Sequence, residues 1–411
     1  MDATPETVGV IVVPEGFDAR TPIGGLRPLA RHVLGLQSAG VTRVLVVGAA
    51  RDEDWRRGGI TVEVDVVASA PALHASRVLV VDAETSLHRA ALAYVMSVLD
   101  DRDRTGEEDG GAVPATRAWR GAEARVVASE GSELPALIDN WAATQVEPRG
   151  DDLRLPEDLF AVRARTPRER SRATSLHLVS LSKTTGGPLD RYLMRPVTRQ
   201  LTRLLCRTPV TPNMITVVSL GLALVAAYLV SLPAQRWSVI AAGVMIAVRF
   251  VDCLDGELAR LRYEGSRLGA WLDTLGDGVG VFAFVLGALV HAVRAVPEGS
   301  AHAERLVGVG VVGLLAWVAV QVFQVAASRR VSGSGSVQEL AWGHLQVERT
   351  GVERLMGALA VFARIDVIGV GYALFVGFGQ HQTLLWVHAI SASVGASYFG
   401  AQLLVGRVRR L

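Results

Sequence analysis

Hydrophobic positions follow two different rhythms along this chain. In the first part, short valine-rich runs alternate with stretches of helical spacing. Residues 8–13, 43–47, 61–67, 77–81 and 124–128 read as strands. Residues 26–39 carry helical spacing and stop at Gly40. Residues 86–99 read as a second helix with Ser86 as its N-cap, and residues 132–143 as a third. The charged, glycine-containing stretch 100–111 reads as a surface loop. Strands alternating with helices predict a Rossmann-like α/β domain, its sheet mostly parallel with helices on both faces.

The second rhythm begins at Asn213. Six apolar segments follow, at about 213–232, 237–258, 269–294, 305–327, 353–378 and 384–405. Each is close to the roughly 20 residues that carry a helix across a bilayer. The expected fold is therefore in two parts. Residues 1–175 make a cytosolic α/β domain, 176–212 a linker with an interfacial helix, and 213–411 an all-α domain of six transmembrane helices.

The polar positions orient this scheme. Arg191, Arg195, Arg199, Arg203 and Arg207 precede the first apolar segment. Arg260, Arg262 and Arg267 lie between the second and third, Arg329 and Arg330 follow the fourth, and Arg407, Arg409 and Arg410 follow the sixth. Arginine on alternate loops places both termini in the cytosol of a multi-pass cell-membrane protein. In residues 196–206, Val197, Leu201, Leu204 and Leu205 make one face and Arg199, Arg203 and Arg207 another. That pattern fits a helix lying in the membrane interface; a soluble connecting helix is the alternative.

Composition excludes several classes. A mean hydropathy of +0.32 excludes a purely soluble protein. A net charge of +2 gives no reason to expect nucleic acid as a partner. Two cysteines, Cys206 and Cys253, rule out a disulfide framework or a cysteine-based zinc site. The histidines are scattered without metal-binding spacing, and His388 reads as a packed or hydrogen-bonded residue. Residues 332–336, Ser-Gly-Ser-Gly-Ser, read as a flexible linker.

Charged residues inside apolar segments are costly and usually functional. They concentrate at one place. Asp252 and Asp255 close the second segment three residues apart, and Asp273 and Asp277 open the third four residues apart. Each pair shares a helix face. A short loop joins the two antiparallel segments, so four carboxylates converge on one small volume. Their repulsion at a low-dielectric edge calls for a divalent cation, or two. Oxygen ligands favour Mg²⁺ or Mn²⁺. Gly256 and Gly269 leave room for a phosphate-bearing ligand, and Arg260 offers it charge.

The full spacing is D-x2-D-G-x2-A-R-x8-G-x3-D-x3-D, from Asp252 to Asp277. It matches the signature of the CDP-alcohol phosphotransferase family at all eight fixed positions. Residues 183–216, with Arg195-Pro196 and Thr208-Pro-Val-Thr-Pro-Asn213, resemble the family's juxtamembrane helix and the start of its first span. Phe362-Ala-Arg364-Ile-Asp366 resembles the R-x-D element of the branch that contains di-myo-inositol-phosphate-phosphate synthases. The resemblance covers residues 180 to 411. It implies a six-helix, often homodimeric membrane domain that transfers a phosphoalcohol from a CDP-alcohol to an acceptor hydroxyl and releases CMP. It implies that Asp252, Asp255 and Asp273 bind metal, with Asp277 near the metals and acting as general base. Asn213, Asp252, Gly256, Ala259, Arg260 and Gly269 would line the CDP site. Arg329, Arg330 and Arg364 are candidates for an anionic acceptor, lipid or polyol phosphate; simple membrane anchoring is the alternative for the first two.

Some members of that branch carry an N-terminal nucleotidyltransferase that makes the CDP-alcohol. Residues 23–29, Ile-Gly-Gly-Leu-Arg-Pro-Leu, and the stretch up to Gly48 are similar to the part after that fold's glycine loop, and Asp82 sits where such enzymes place a metal-binding aspartate. Two features depart from the pattern. Residues 14–20 hold only one glycine, Gly16, and no lysine occurs before Lys183. Arg20 or Arg27 is not a free substitute for a fitted lysine. The expectation is a degenerate nucleotidyltransferase-like domain, with a working cytidylyltransferase as the alternative. A transporter or inert scaffold fits less well, because a transporter wants acids near the midplane and internal repeats.

Overall fold

The first strand, β1 (Thr7–Val13), is apolar along almost its whole length. Ile11 and Val13 join one buried cluster, while Val8, Val10 and Val12 join another. A strand buried on both faces belongs inside a sheet. In the computed structural model β1 pairs in parallel with β2 (Arg43–Gly48) on one side and β4 (Arg77–Asp82) on the other. β3 (Glu63–Val67) lies beyond β2; β7 (Arg125–Ser129), β6 (Arg117–Arg120) and β8 (Leu153–Arg154) lie beyond β4. The structure describes residues 7–48, 50, 52–71, 73, 77–105, 117–120, 125–129, 132, 134–139, 153–156, 158–181, 190–331, 340–341, 365–405 and 409–410.

The expected mostly parallel sheet is parallel from β3 to β4 and again between β6 and β8. Beyond β4 it is mixed: β7 is antiparallel to β4, and β6 to β7. β6 and β7 are separated by too few residues for a crossover, so they can pair only as a hairpin. Helix α1 (Pro28–Ser38) opens with proline in its first turn and covers one face. Gly9 permits that contact, since a Cβ there would lie 2.8 Å from a Leu36 methyl. A short helix, α2 (Asp52–Trp55), follows β2.

The helix expected over 86–99 starts later and runs longer, as α3 (Ala91–Thr105). Residues 100–105 are thus helix rather than loop, and 106–111 lie outside the described residues. Ser86 does not cap it. Thr85–Leu87 form β5, antiparallel to β9 (Ala161–Arg163), and the Ser86 hydroxyl lies 2.9 Å from Nε2 of buried His177. A distant strand captured this stretch and overrode its local preference. The third expected helix is α4 (Leu134–Asp139), with 140–143 outside the described residues. The α/β part ends in α5 (Pro167–Ser180), which opens on a capping box between Thr166 and Glu169.

The chain divides into two compact units. The first comprises Met1–Leu181 with Cys206–Thr208 and Leu261–Tyr263; the second comprises Ser182–Leu205, Pro209–Arg260 and Glu264–Leu411. In the second, a π-helical turn at Asp190–Met194 leads into α6 (Arg195–Leu205). Then come α7 (Pro212–Ser231), α8 (Gln235–Arg262), α9 (Arg267–Arg294), α10 (Ala301–Val331), α11 (Ile365–Gly377) and α12 (His381–Val405). Among the described residues, five of these helices are long and apolar enough to cross a membrane: α7, α8, α9, α10 and α12. Of the expected fifth span, 353–378, the part before Ile365 lies outside the described residues, and Arg364 with it. Residues 332–336 lie outside them too.

Small residues let these helices approach. A Cβ on Gly280 would lie 3.2 Å from that of Ala223, and one on Gly287 would collide with the Ala227 carbonyl oxygen. Both glycines sit on α9 and both alanines on α7, so the first and third spans pack backbone to backbone. Met245, Phe284, Trp317 and Tyr372 fill the core between the spans.

Candidate active site

The acids stand at the end of the spans that the arginine pattern leads one to expect on the cytosolic side. α8 and α9 are antiparallel and joined by residues 263–266. Asp252 and Asp255 stand in the last turns of α8, and Asp273 in the second turn of α9. Each of the three offers a carboxylate oxygen within 4.8 Å of the other two. Oxygens that close suit one cation placed between them.

Asp255 is buried and oriented on both sides. Its Oδ2 accepts from the Thr216 hydroxyl of α7 at 2.5 Å, and its Oδ1 from the backbone amide of Gly256 at 2.5 Å. Gly256 also gives Arg260 its place: a Cβ there would lie 3.2 Å from the guanidinium one turn on. Ala259, partly buried, follows Asp255 by one turn on the same helix. Gly269 plays a similar role on α9, where a Cβ would lie 2.8 Å from Oδ1 of Asn213 and 3.0 Å from Oγ of Ser266. Ser266 caps α9 by accepting from the Gly269 amide at 2.9 Å. Asn213, in the first turn of α7, therefore lies against the first turn of α9.

Asp277 lies one turn beyond Asp273 on α9, close enough for its charge to act on Asp252. Oδ1 of Asp277 accepts from Nη1 of Arg249 at 2.9 Å, and that guanidinium is buried. Of the four acids expected to converge, three bring oxygens within 4.8 Å of one another, and the fourth, Asp277, lies beside them in an ion pair. Arg249 escaped the sequence reading, although its signal was plain: it is the first charge in the apolar run of α8, three residues before Asp252. Gly369 of α11 makes room for it, since a Cβ there would lie 2.9 Å from Cδ of Arg249. Thr216 also escaped, because nothing local marks a threonine in an apolar helix as a partner of an aspartate 39 residues away.

The acceptor candidates are only partly placed. Arg329 and Arg330 are exposed in the last turn of α10, which the up-and-down order of the spans puts on the face of the acidic cluster. Asp366 falls in the first turn of α11. His388 packs in the spans with its Nδ1 2.8 Å from the Tyr372 hydroxyl.

In the N-terminal unit, Asp82 is buried at the end of β4 and its Oδ1 accepts from the Glu84 amide at 2.8 Å. Beside it, burial pushes the His32 imidazole down to about 4. The connection from β1 to α1 is tied down by its own side chains. Asp18 Oδ1 accepts from the amides of Arg20 and Thr21 at 3.0 and 3.1 Å. Buried Arg170 donates to the carbonyls of Asp18, Thr21 and Ala164.

Comparison with known proteins places this geometry. Part of the chain is 36% identical over 116 residues to the bifunctional IPC transferase and DIPP synthase of Thermococcus kodakarensis, covering 27% of this chain and 25% of that protein. Another match, to the archaetidylinositol phosphate synthase of Pyrococcus horikoshii, is 38% identical over 87 residues, 20% of this chain and 44% of that protein. The chain thus spans less than half the length of the curated relatives it matches. Among solved structures, a putative glucose-1-phosphate thymidylyltransferase from Bacillus anthracis aligns with 41% of this chain and 94% of its own at 12% identity; its TM-score of 0.28 carries no argument. Residues 209–394 match the CDP-alcohol phosphatidyltransferase family, and that range holds the three clustered aspartates, Asp277, Asn213 and both site glycines. The helical part of this chain is thus similar to CDP-alcohol phosphatidyltransferases, and one of the relatives it matches is named as a DIPP synthase.

Proposed function

We propose that this chain is a metal-dependent membrane enzyme that transfers a phosphoalcohol from a CDP-alcohol to an acceptor hydroxyl and releases CMP. The observation that carries the reading is the trio Asp252, Asp255 and Asp273, with oxygens within 4.8 Å of one another. These residues fit one or two Mg²⁺ or Mn²⁺ ions, being oxygen donors with orientation already set by Thr216 and Gly256. A divalent ion held there supplies charge to offset the donor's diphosphate and to stabilise the departing CMP oxygen.

The chain's own residues do the rest. Gly256 and Gly269 keep side chains clear of the donor, Arg260 offsets phosphate charge, and Asn213 and Ala259 border the same space. The acceptor oxygen bonds to the β-phosphorus, the bond from that phosphorus to the CMP oxygen breaks, and the hydroxyl proton goes to Asp277. Arg249 holds Asp277 at a fixed position for that task. The relatives' names support an inositol phosphate or another polyol phosphate as acceptor, and Arg329 and Arg330 offer it charge. We place the domain in the cell membrane, with the active site and both termini cytosolic, by the alternation of arginines. The family resemblance supports a homodimer.

For the N-terminal unit we propose a nucleotidyltransferase-like domain that no longer transfers nucleotides. A working phosphate loop presents free amides to its ligand. Here the Asp18 carboxylate already accepts from two of those amides, and Arg170 fastens the carbonyls.

Purified protein in lipid should release CMP from a CDP-alcohol when offered polyol phosphates, lose the activity in EDTA and regain it with Mg²⁺ or Mn²⁺; turnover in chelator would remove the metal site. Asp277→Asn keeps an oxygen for Arg249, so donor binding measured by calorimetry should fall only several-fold while turnover drops by roughly 10²–10⁴. Near-normal turnover would assign the base elsewhere. Thr216→Val removes the hydroxyl that orients Asp255 and is expected to weaken Mn²⁺ binding by about 10–100-fold, read by electron paramagnetic resonance. The same protein should release no pyrophosphate from CTP with inositol 1-phosphate or another phosphoalcohol, and CTP-dependent release would make it bifunctional. Reporters fused before Met1 and after Leu411 should both read cytosolic; an external C-terminus would mean an odd number of spans.

A further inference from the structure

Glu257 lies inside the signature, between Gly256 and the Ala259-Arg260 pair, yet it is not one of the signature's fixed positions. It is fully buried. Its Oε1 accepts from Nη1 of Arg195 at 2.7 Å and from the Thr198 hydroxyl at 2.8 Å. Its Oε2 accepts from the Thr202 hydroxyl at 2.6 Å. All three donors stand on α6 at helical spacing, and all three are buried. Both oxygens are therefore engaged, which keeps this acid out of the neighbouring metal trio.

Stability alone does not account for such a group. A well-packed apolar contact of similar volume usually serves a buried interface as well as an ion pair does, or better. What charged, hydrogen-bonded partners add is a single fixed geometry. The helix rotates by about 100° per residue, so Glu257 points roughly 200° away from Asp255. The active-site turn of α8 is consequently gripped from two opposed sides. Thr216 of α7 holds Asp255 on one, and α6 holds Glu257 on the other. Neither grip alone fixes the rotation of the turn about its axis; together they do.

The other face of α6 explains where that brace is anchored. Val197, Leu201 and Leu204 are 48%, 40% and 67% exposed, one helical stripe of apolar side chains. A helix seated on the bilayer by that stripe is a fixed platform from which to hold α8.

We propose that Glu257 is a positioning residue for the metal and donor site, acting through the Arg195–Thr198–Thr202 clamp on α6 to set the rotation of the turn that carries Asp255, Gly256 and Arg260. This rests on the metal-site reading above. The test uses the full chain in lipid nanodiscs, with Mn²⁺ affinity measured by electron paramagnetic resonance well below the unfolding temperature, and CMP release alongside. Glu257→Gln is expected to bind Mn²⁺ about 10–100-fold more weakly than wild type, the usual effect of losing a group that orients a metal site from behind. The pair Thr198→Ser and Thr202→Ser keeps both hydroxyls and should bind Mn²⁺ as wild type does. The pair Thr198→Val and Thr202→Val removes both while leaving Arg195 on Glu257, and should weaken binding. It decides the question if Glu257→Gln does not fold. Variants that unfold at lower temperature yet bind Mn²⁺ with wild-type affinity would make the clamp a structural brace only and overturn the proposal. Wild-type protein that binds no Mn²⁺ would instead overturn the metal site itself.

Discussion

Carboxylates held close together at the end of two apolar helices repel one another, and that repulsion is the constraint around which the rest is arranged. Two like charges about 4 Å apart oppose each other by roughly 4 kcal/mol at a dielectric typical of a protein surface. Asp252, Asp255 and Asp273 stand in that relation. Buried arginines relieve part of the load, and the charge of Arg249 reaches Asp252 as well as Asp277. Asp277 is neutralised by Arg249, and Glu257 by Arg195. Asp277 and Glu257 are thereby ion-paired with buried arginines, while Asp252, Asp255 and Asp273 bring their oxygens within 4.8 Å of one another.

Holding that arrangement requires rigid neighbours. The glycine–alanine contacts between α7 and α9 bring the first and third spans together, and with them Thr216 and Asp273 close to Asp255. The same closeness seats Asn213 against Gly269. Any side chain at these glycines would open the gap and move two site elements at once. Packing and site are thus one design, since the contacts that make a bundle also set the ligand positions.

Much of the active site was legible in the sequence because its signature is local. Asp252 with Asp255 is a matter of helical spacing, and a short turn to Asp273 leaves little freedom in where the two helix ends meet. The spans were legible for a similar reason, length and apolarity being properties of continuous segments. Arg249, Thr216 and Glu257 were not legible as partners, because their meaning lies in contacts 28, 39 and 55–62 residues away. The α/β part repeats the lesson. Valine runs revealed β1, β2 and β4, whereas Ser86 looked like a helix cap until β9 claimed its strand from 76 residues along the chain. Local pattern names the elements; pairing between distant ones decides their ends.

The two units use an acid in opposite ways. In the helical unit, three acids are concentrated where they could hold a cation. In the N-terminal unit, Asp18 answers the loop's own amides, and Arg170 answers Asp18 in turn through an ion pair at 3.1 Å. A carboxylate on a pair of backbone amides occupies the position an anionic ligand would otherwise fill. For a phosphate to bind there it would have to displace Asp18 from two amides, a hydroxyl contact at Thr21 and a guanidinium, with no lysine nearby to attract it. The missing lysine and the satisfied loop point the same way. Both support the proposal that the chemistry belongs to the helical unit, where three carboxylates meet.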